Sequence, residues 1–376
     1  MCTVGHIMCI VVHMTIPVPL TSGEDVADLV RRLGNARLPD LPADTGWIRG
    51  TDRSALSALL SHWQHDYDWH PHQERIAALP WTTAAGLNLI HQASPAADAP
   101  AVVLLHGWPD SVLRFEKVLP LLDDVNVVVP ALPGFPFSEP LTVTGMSAAT
   151  IASMIAEAMH VLGHERYVIS AGDVGADVAE QLAAAHPDRV TALHLTNISP
   201  LHAVFADRSV LDDEELAYLD VVATWSRAEG GYIAEQGSKP HTLAVGLADS
   251  PAGLAAWLLE KLHGWSEVTP DPDDLLTWIS AYWFSNTIGS SFATYIDFAP
   301  PVPYVGVPTV FSKFAFDTKP APRQFVARYV NLHAFVEHEH GGHFAAWEQP
   351  AVYAQDLRLA IEIGVASRSE AFTASA

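Results

Sequence analysis

Six short, mostly apolar runs constrain this chain more than any other feature: AVVLLHG (101–107), NVVVPALPG (126–134), RYVISAG (166–172), VTALHLTN (190–197), PTVFSKF (308–314) and HAFVEHEH (333–340). Runs this short and this rich in β-branched residues read as buried strands. Between them lie segments such as SAATIASMIAEAMHVLG, whose apolar residues recur at helical spacing. The alternation predicts an α/β fold, a mostly parallel sheet covered by helices, beginning near Pro80. Strand-like runs vanish between residues 199 and 299, where helical, Trp-rich sequence takes over. An insertion of that size between two strands of one sheet predicts a cap domain. The core is then split into residues 80–198 and 300–376, with a loose C-terminal tail.

Upstream, TSGEDVADLVRRLGNARLPD carries cap residues followed by Val26, Leu29 and Leu33 at helical spacing, which predicts an amphipathic helix. A second helical stretch, DRSALSALLSHWQHDYDW, leads into HPHQERIAALP. His62, His65, His70 and His72 make this region His-rich, but no Cys or carboxylate completes a closed site at metal-ligand spacing, so a helix surface and a polar turn are expected there. Residues 1–13 are expected to be a loose leader, with Met14 opening an N-terminal region of residues 14–79. The apolar run Ile7–Val12 falls far short of the roughly 20 residues that span a bilayer, and the basic start of a signal peptide is lacking.

Charge narrows the partners. Twenty Lys and Arg against 43 Asp and Glu give a formal net charge of −23, which repels nucleic acid and anionic membrane surfaces. The two cysteines, Cys2 and Cys9, both fall in the leader. They provide no disulfide framework and no Cys-rich zinc site, so a reducing, cytoplasmic setting is expected. The sequence leaves the oligomeric state open, a homodimer included.

The stretch AGDVG (171–175) carries the chemistry. It joins a strand to a helix with small residues two before and two after Asp173, the pattern that lets a tight, strained turn push a nucleophile above the sheet. The plainer alternative is a Gly-rich turn with Asp173 as a helix N-cap. LLHGWPDS follows an earlier strand, and its Trp108 N–H, paired with that of Val174, predicts an oxyanion hole. His343, in EHGGHFAAWEQP after the last run, is the expected general base, ahead of His338 and His340, which lie on the strand side. Asp317, in SKFAFDTKP after the preceding run, is the expected acid that orients it, ahead of Glu337 and Glu339. A carboxylate in place of serine suits displacement at an sp3 carbon bearing a strained leaving group.

With these motifs in hand, residues 14 to about 364 resemble the microsomal-type epoxide hydrolases, a family that includes the juvenile hormone epoxide hydrolases. The likeness rests on IPVPL, GWIRGT and HDYDW in the N-terminal region, on HGWPDS, AGDVG and GGHFAAWEQP in the core, and on GGYIAEQGSKPHTLAVGLADSPAGLAAWLLEK in the cap. It implies an α/β-hydrolase fold with a helical cap and an N-terminal meander over the core. It also implies that Tyr232 and Tyr295 are the two phenols that hydrogen-bond the epoxide oxygen. A phenol suits that task because, with a pKa of about 10, it stays protonated at neutral pH while donating to a nascent alkoxide.

The expected reaction is therefore a two-step conversion of a bulky apolar epoxide to a vicinal diol. Asp173 forms an alkyl-enzyme ester, and water activated by His343 hydrolyses it, with no cofactor or metal. The sequence departs from the family pattern twice. Val174 stands where Trp is usual, beside the nucleophile, so Val174 and Trp108 are expected to shape the substrate pocket. Asp110 stands where Gly is usual, and is expected either to disturb the oxyanion loop or to face solvent. A haloalkane dehalogenase would keep the Asp and His but use an indole N–H beside the nucleophile, which Val174 lacks, and an esterase would need a serine. A family member repurposed to act non-hydrolytically on a biosynthetic intermediate stays open, because fold alone does not fix the reaction.

Overall fold

The computed structural model describes residues 18, 21–40, 42 and 45–374, the side chains of 367–374 excepted. The leader and most of IPVPL lie outside the described residues. Three helices open the chain: α1 (Gly23–Gly34), α2 (Arg53–His65) and α3 (Trp69–Ala77). Ser22 and Asp25 form a reciprocal capping box on α1, and Asp52 caps α2, each satisfying backbone N–H groups that a helix start leaves free. The helical stretch expected to run on to Trp69 stops sooner, at His65, because the Asp68 side chain accepts from the His70 N–H (3.0 Å) and starts α3.

The central sheet has eight strands in the order β1-β2-β4-β3-β5-β6-β7-β8. These are β1 (Trp81–Ala84), β2 (Leu87–Gln92), β3 (Ala101–Leu105), β4 (Asn126–Pro130), β5 (Tyr167–Ala171), β6 (Val190–Leu195), β7 (Val305–Phe316) and β8 (Val330–Gly342). All six expected runs are strands and pair in parallel. The sheet also has an antiparallel edge that the sequence reading did not assign: β1 and β2 form a hairpin, and β2 pairs antiparallel with β4. Every residue of β3, β5 and β6 is buried, as expected for strands covered on both faces.

Helices α4 (Ala148–Val161) and α5 (Val174–Ala185) pack beside the sheet between β4 and β6. From β6 to β7 the chain makes α6 (Pro200–Phe205), α7 (Asp213–Glu229), α8 (Gly231–Gln236), α9 (Pro240–Asp249), α10 (Pro251–Gly264), α11 (Pro272–Ser285) and α12 (Ala293–Ile296). The opening helices meet this layer: His62 pairs with Asp273 at 2.7 Å, Tyr67 bonds Thr277, and the Thr51 hydroxyl donates to the Ala256 carbonyl. After β7 come α13 (Arg323–Ala327), then β8, α14 (Ala345–Glu348) and α15 (Pro350–Ala374). The tail expected to be loose continues as helix to Ala374, since nothing after Gly364 is a helix breaker.

The four N-terminal histidines diverge. His62 turns to Asp273, His65 to the Ser61 carbonyl, His70 to Asp68 and His72 to Thr277. Among the described residues no group of three His, Cys, Asp or Glu side chains is set to hold a metal ion. Among the same residues no single helix is long and apolar enough to cross a membrane.

Candidate active site

Five loops at the carboxyl ends of β3, β5, β6, β7 and β8 carry the polar residues that converge, the edge where parallel sheets place their ligand sites. Asp173 follows β5 with φ 54° and ψ −134°, a conformation strongly disfavoured for a residue with a side chain. It stands at the N-cap position of α5, yet its side chain caps nothing. The turn is held by close approach: a Cβ on Gly175 would strike the carbonyls of Leu105 and His106, and one on Gly107 would strike the Asp173 carboxylate. Small residues at these points let the elbow sit directly on the β3 loop.

The Trp108 N–H donates to Asp173 Oδ1 at 2.9 Å. Burial alone would raise the Asp173 pKa, but the neighbouring His343 imidazolium, with the amides of Trp108 and Val174, brings it down to about 2. The site therefore keeps Asp173 ionised. His343 Nδ1 lies 2.8 Å from Asp317 Oδ1, and Nε2 lies 3.3 Å from Asp173 Oδ2, an ion-pair contact rather than an aligned hydrogen bond. Burial would lower the His343 pKa, but the two carboxylates outweigh it and raise it to about 9. Burial would raise the Asp317 pKa, and the charge of His343 holds it below the ordinary carboxylate value.

The rival residues lie elsewhere. His338 bonds Asp356 at 2.6 Å, His340 pairs with Glu267 at 2.8 Å, Glu337 pairs with Lys313 at 2.8 Å, and Glu339 is exposed.

Tyr232 and Tyr295, on α8 and α12 of the helical stretch between β6 and β7, line the same cavity as Asp173 and His343. Their rings lie edge to face with centroids 6.0 Å apart. Burial, with the Asp173 charge adding to it, pushes both phenols well above pKa 10. They stay protonated donors. Val174 lines this cavity of about 440 Å³. Trp108, also expected in the wall, is fully buried and is not among the lining residues: its ring stacks on Tyr232 at 5.2 Å and backs the phenol.

Asp110 neither disturbs the loop nor faces solvent. It is buried, accepts from the Gly107 N–H at 2.8 Å, and pairs with Arg114 at 2.6 Å. Asp110 thus braces the loop that follows β3, because the buried Arg114 supplies the opposite charge.

Three residues belong to the site that sequence reasoning did not find. Asn197, just after β6, accepts from the Asp173 N–H at 3.1 Å and donates to the Asp317 carboxylate. Arg114 donates to the His343 carbonyl at 2.5 Å. The Trp265 carbonyl accepts from the His343 N–H at 2.7 Å, and the Trp265 ring packs edge-on to the imidazole. A polar Asn ending a buried strand was the one signal available, while the other two contacts join residues far apart in sequence.

Residues 16–115 match the model described as epoxide hydrolase N terminus, and residues 100–240 match the alpha/beta hydrolase fold. A putative epoxide hydrolase of Stigmatella aurantiaca is 34% identical over 361 residues, 89% of this chain and 81% of that one. Epoxide hydrolase 1 of Sus scrofa is 30% identical over 391 residues, 90% of this chain and 86% of that one. The crystal structure of juvenile hormone epoxide hydrolase from the silkworm Bombyx mori superposes with a TM-score of 0.82 at 26% identity, covering 93% of this chain and 94% of that one.

Proposed function

This chain belongs to the microsomal-type epoxide hydrolase family, and we propose that it hydrolyses a bulky, mainly apolar epoxide to a vicinal diol through a covalent ester on Asp173. The observation that carries this reading is the meeting, in one cavity, of an ionised Asp173 held by His343 and two amides with two protonated phenols. An acyl substrate needs no such phenol pair, whereas an opening epoxide generates an alkoxide that does.

In the first step an Asp173 carboxylate oxygen attacks a ring carbon from behind, the ring C–O bond breaks, and the electron pair passes to the ring oxygen. Tyr232 and Tyr295 supply its proton. Ester formation removes the Asp173 charge, one of the causes that raise the His343 pKa, so the imidazolium can give up its proton to restore the phenol. Neutral His343, oriented by Asp317, then takes a proton from water, and the hydroxide adds to the ester carbonyl of Asp173. The N–H groups of Trp108 and Val174 hold the oxyanion. Collapse breaks the bond between the carbonyl carbon and the alkyl oxygen, and the departing alkoxide takes the proton from His343. The hydrogen left on the Asp173 carboxyl by the hydroxide then passes to His343, which restores the starting ion pair. One water is consumed, and its two hydrogens balance those of the diol.

We take residues 199–299 as the cap over a core of 80–198 and 300–376, and a cytoplasmic enzyme needing only epoxide and water. The test is product analysis with aryl and alkyl epoxides and matched 1-haloalkanes. Diols from the epoxides with no halide release support the reading; halide release, or no turnover of any epoxide, opposes it.

A further inference from the structure

The floor of the cavity is one face of α5, where Val174, Asp177, Glu180 and Gln181 line it. Asp177 stands in the first turn of α5, four residues after Asp173, and both side chains line this cavity. Its carboxyl is close enough to the chemistry for its charge to act on the Tyr295 phenol. An apolar side chain would fill this position at lower cost, since burying a carboxyl without full compensation is unfavourable.

Neighbouring acids are already committed. Glu180 accepts from the Ser199 N–H at 2.8 Å and pairs with His202 at 2.7 Å, which ties α5 to the start of α6. Lys319, a cation on the cavity wall, stands 3.5 Å from the Trp225 ring centroid and is drawn to Asp317 and Asp173. The charges that act on Asp177, those of Glu180 and Asp173, are both negative. Burial first, and then these charges, raise its pKa to about 8, against a lowering by Ser199. These causes favour the neutral carboxyl, which has both a donor and an acceptor. Apolar side chains such as Ile198, Leu201, Val222 and Phe298 share the cavity wall with it and with Glu180, Gln181 and Lys319.

We propose that Asp177 is a specificity-determining residue that hydrogen-bonds a hydroxyl group carried by the epoxide substrate, a few bonds from the ring carbon that Asp173 attacks. A hydroxyl matches this carboxyl in either protonation state, since it can donate to a carboxylate and can both donate to and accept from the acid. This inference rests on the epoxide-hydrolase reading of the site and adds the substrate's polar feature to it.

The test compares two epoxides that differ only by hydroxyl against methyl at the same carbon, two or three bonds from the ring. Wild type should favour the hydroxyl substrate in kcat/KM by about tenfold or more, as a site built to bond a substrate OH does. Asp177→Leu should erase or reverse that ratio, and Asp177→Asn, which keeps a donor and an acceptor, should retain most of it. The ratio is internal to each protein, so partial misfolding of a variant cancels. Diols from both substrates with a wild-type ratio near one, or an unchanged ratio in Asp177→Leu, overturn the assignment and leave the epoxide reading standing. A preference for the matching amine over the hydroxyl, lost in Asp177→Asn, overturns it in favour of an ammonium group. No diol from either substrate or from simple aryl epoxides brings down the parent reading, and this inference with it.

Discussion

Arg114 joins the two loops that carry the candidate chemistry: one guanidinium nitrogen lies 2.6 Å from Asp110 and the other donates to the His343 carbonyl at 2.5 Å. The pair is buried, with both side chains at or below 2% exposure. Removing one partner of such a pair strands a buried charge, at a cost of roughly 3–5 kcal/mol. Arg114→Met should therefore lower the urea midpoint strongly, and Asp110→Asn with Arg114→Met should recover much of the loss, because Asn keeps the acceptor for the Gly107 N–H. A double variant no more stable than Arg114→Met would contradict this coupling.

Asn197 bonds Asp173 and Asp317 at once, the proposed nucleophile and the proposed acid. A hydrogen bond to a charged group contributes roughly 1.5–3 kcal/mol, so Asn197→Ala should reduce kcat by about tenfold to a hundredfold, with little change in KM. Circular dichroism of the variant should match wild type. A kcat within twofold of wild type would remove Asn197 from the site.

Each of Tyr232→Phe and Tyr295→Phe takes away one of the two proposed donors to the ring oxygen without emptying the ring's place. Positioned general acids contribute on the order of 10²–10⁴. Each variant should slow ester formation by tenfold or more in single turnovers, while hydrolysis of the ester, once formed, stays near the wild-type rate. Slowing confined to the second step would deny the phenols their role.

Two histidines set opposite pH trends in stability. His194 is fully buried between Ser170 and Ser312, and burial lowers its pKa to about 4. The unfolded chain takes up its proton near pH 6.5, so this stability is present in full above 6.5 and is lost progressively as pH falls to about 4, roughly 3 kcal/mol in all. For His343, raised to about 9, the sign reverses: its contribution is full below 6.5 and is lost as pH rises through about 9. Urea unfolding across pH 4–10 should show both flanks, with the acidic slope reduced in His194→Gln and the basic slope reduced in Asp173→Asn. An unchanged acidic slope in His194→Gln would contradict the first assignment.

Much of this was legible in the primary structure because the signals are local. Six buried strands announce themselves as apolar runs, and the elbow announces itself through the small residues around Asp173. The β1–β2 hairpin was less legible: β1 has only four residues, WTTA, and the turn places Ala85 at φ 49° beside Gly86, where a non-glycine gives no turn signal. Arg114, Trp265 and the fate of Asp110 were not legible because their roles exist only once distant loops meet. The contact between Arg114 and His343 spans 229 residues. The Trp108 ring illustrates the same limit, since Tyr232 on the distant α8 stacks on it and so sets what it faces.

The central claim is the ester on Asp173. Intact-mass spectrometry of His343→Gln, incubated with a panel of aryl and alkyl epoxides that wild type converts to diols, tests it directly beside Asp173→Ala. The account predicts a mass gain of one epoxide in His343→Gln, because ester hydrolysis stalls without the base, and no gain in Asp173→Ala. No adduct in His343→Gln, or an equal adduct in Asp173→Ala, would contradict it.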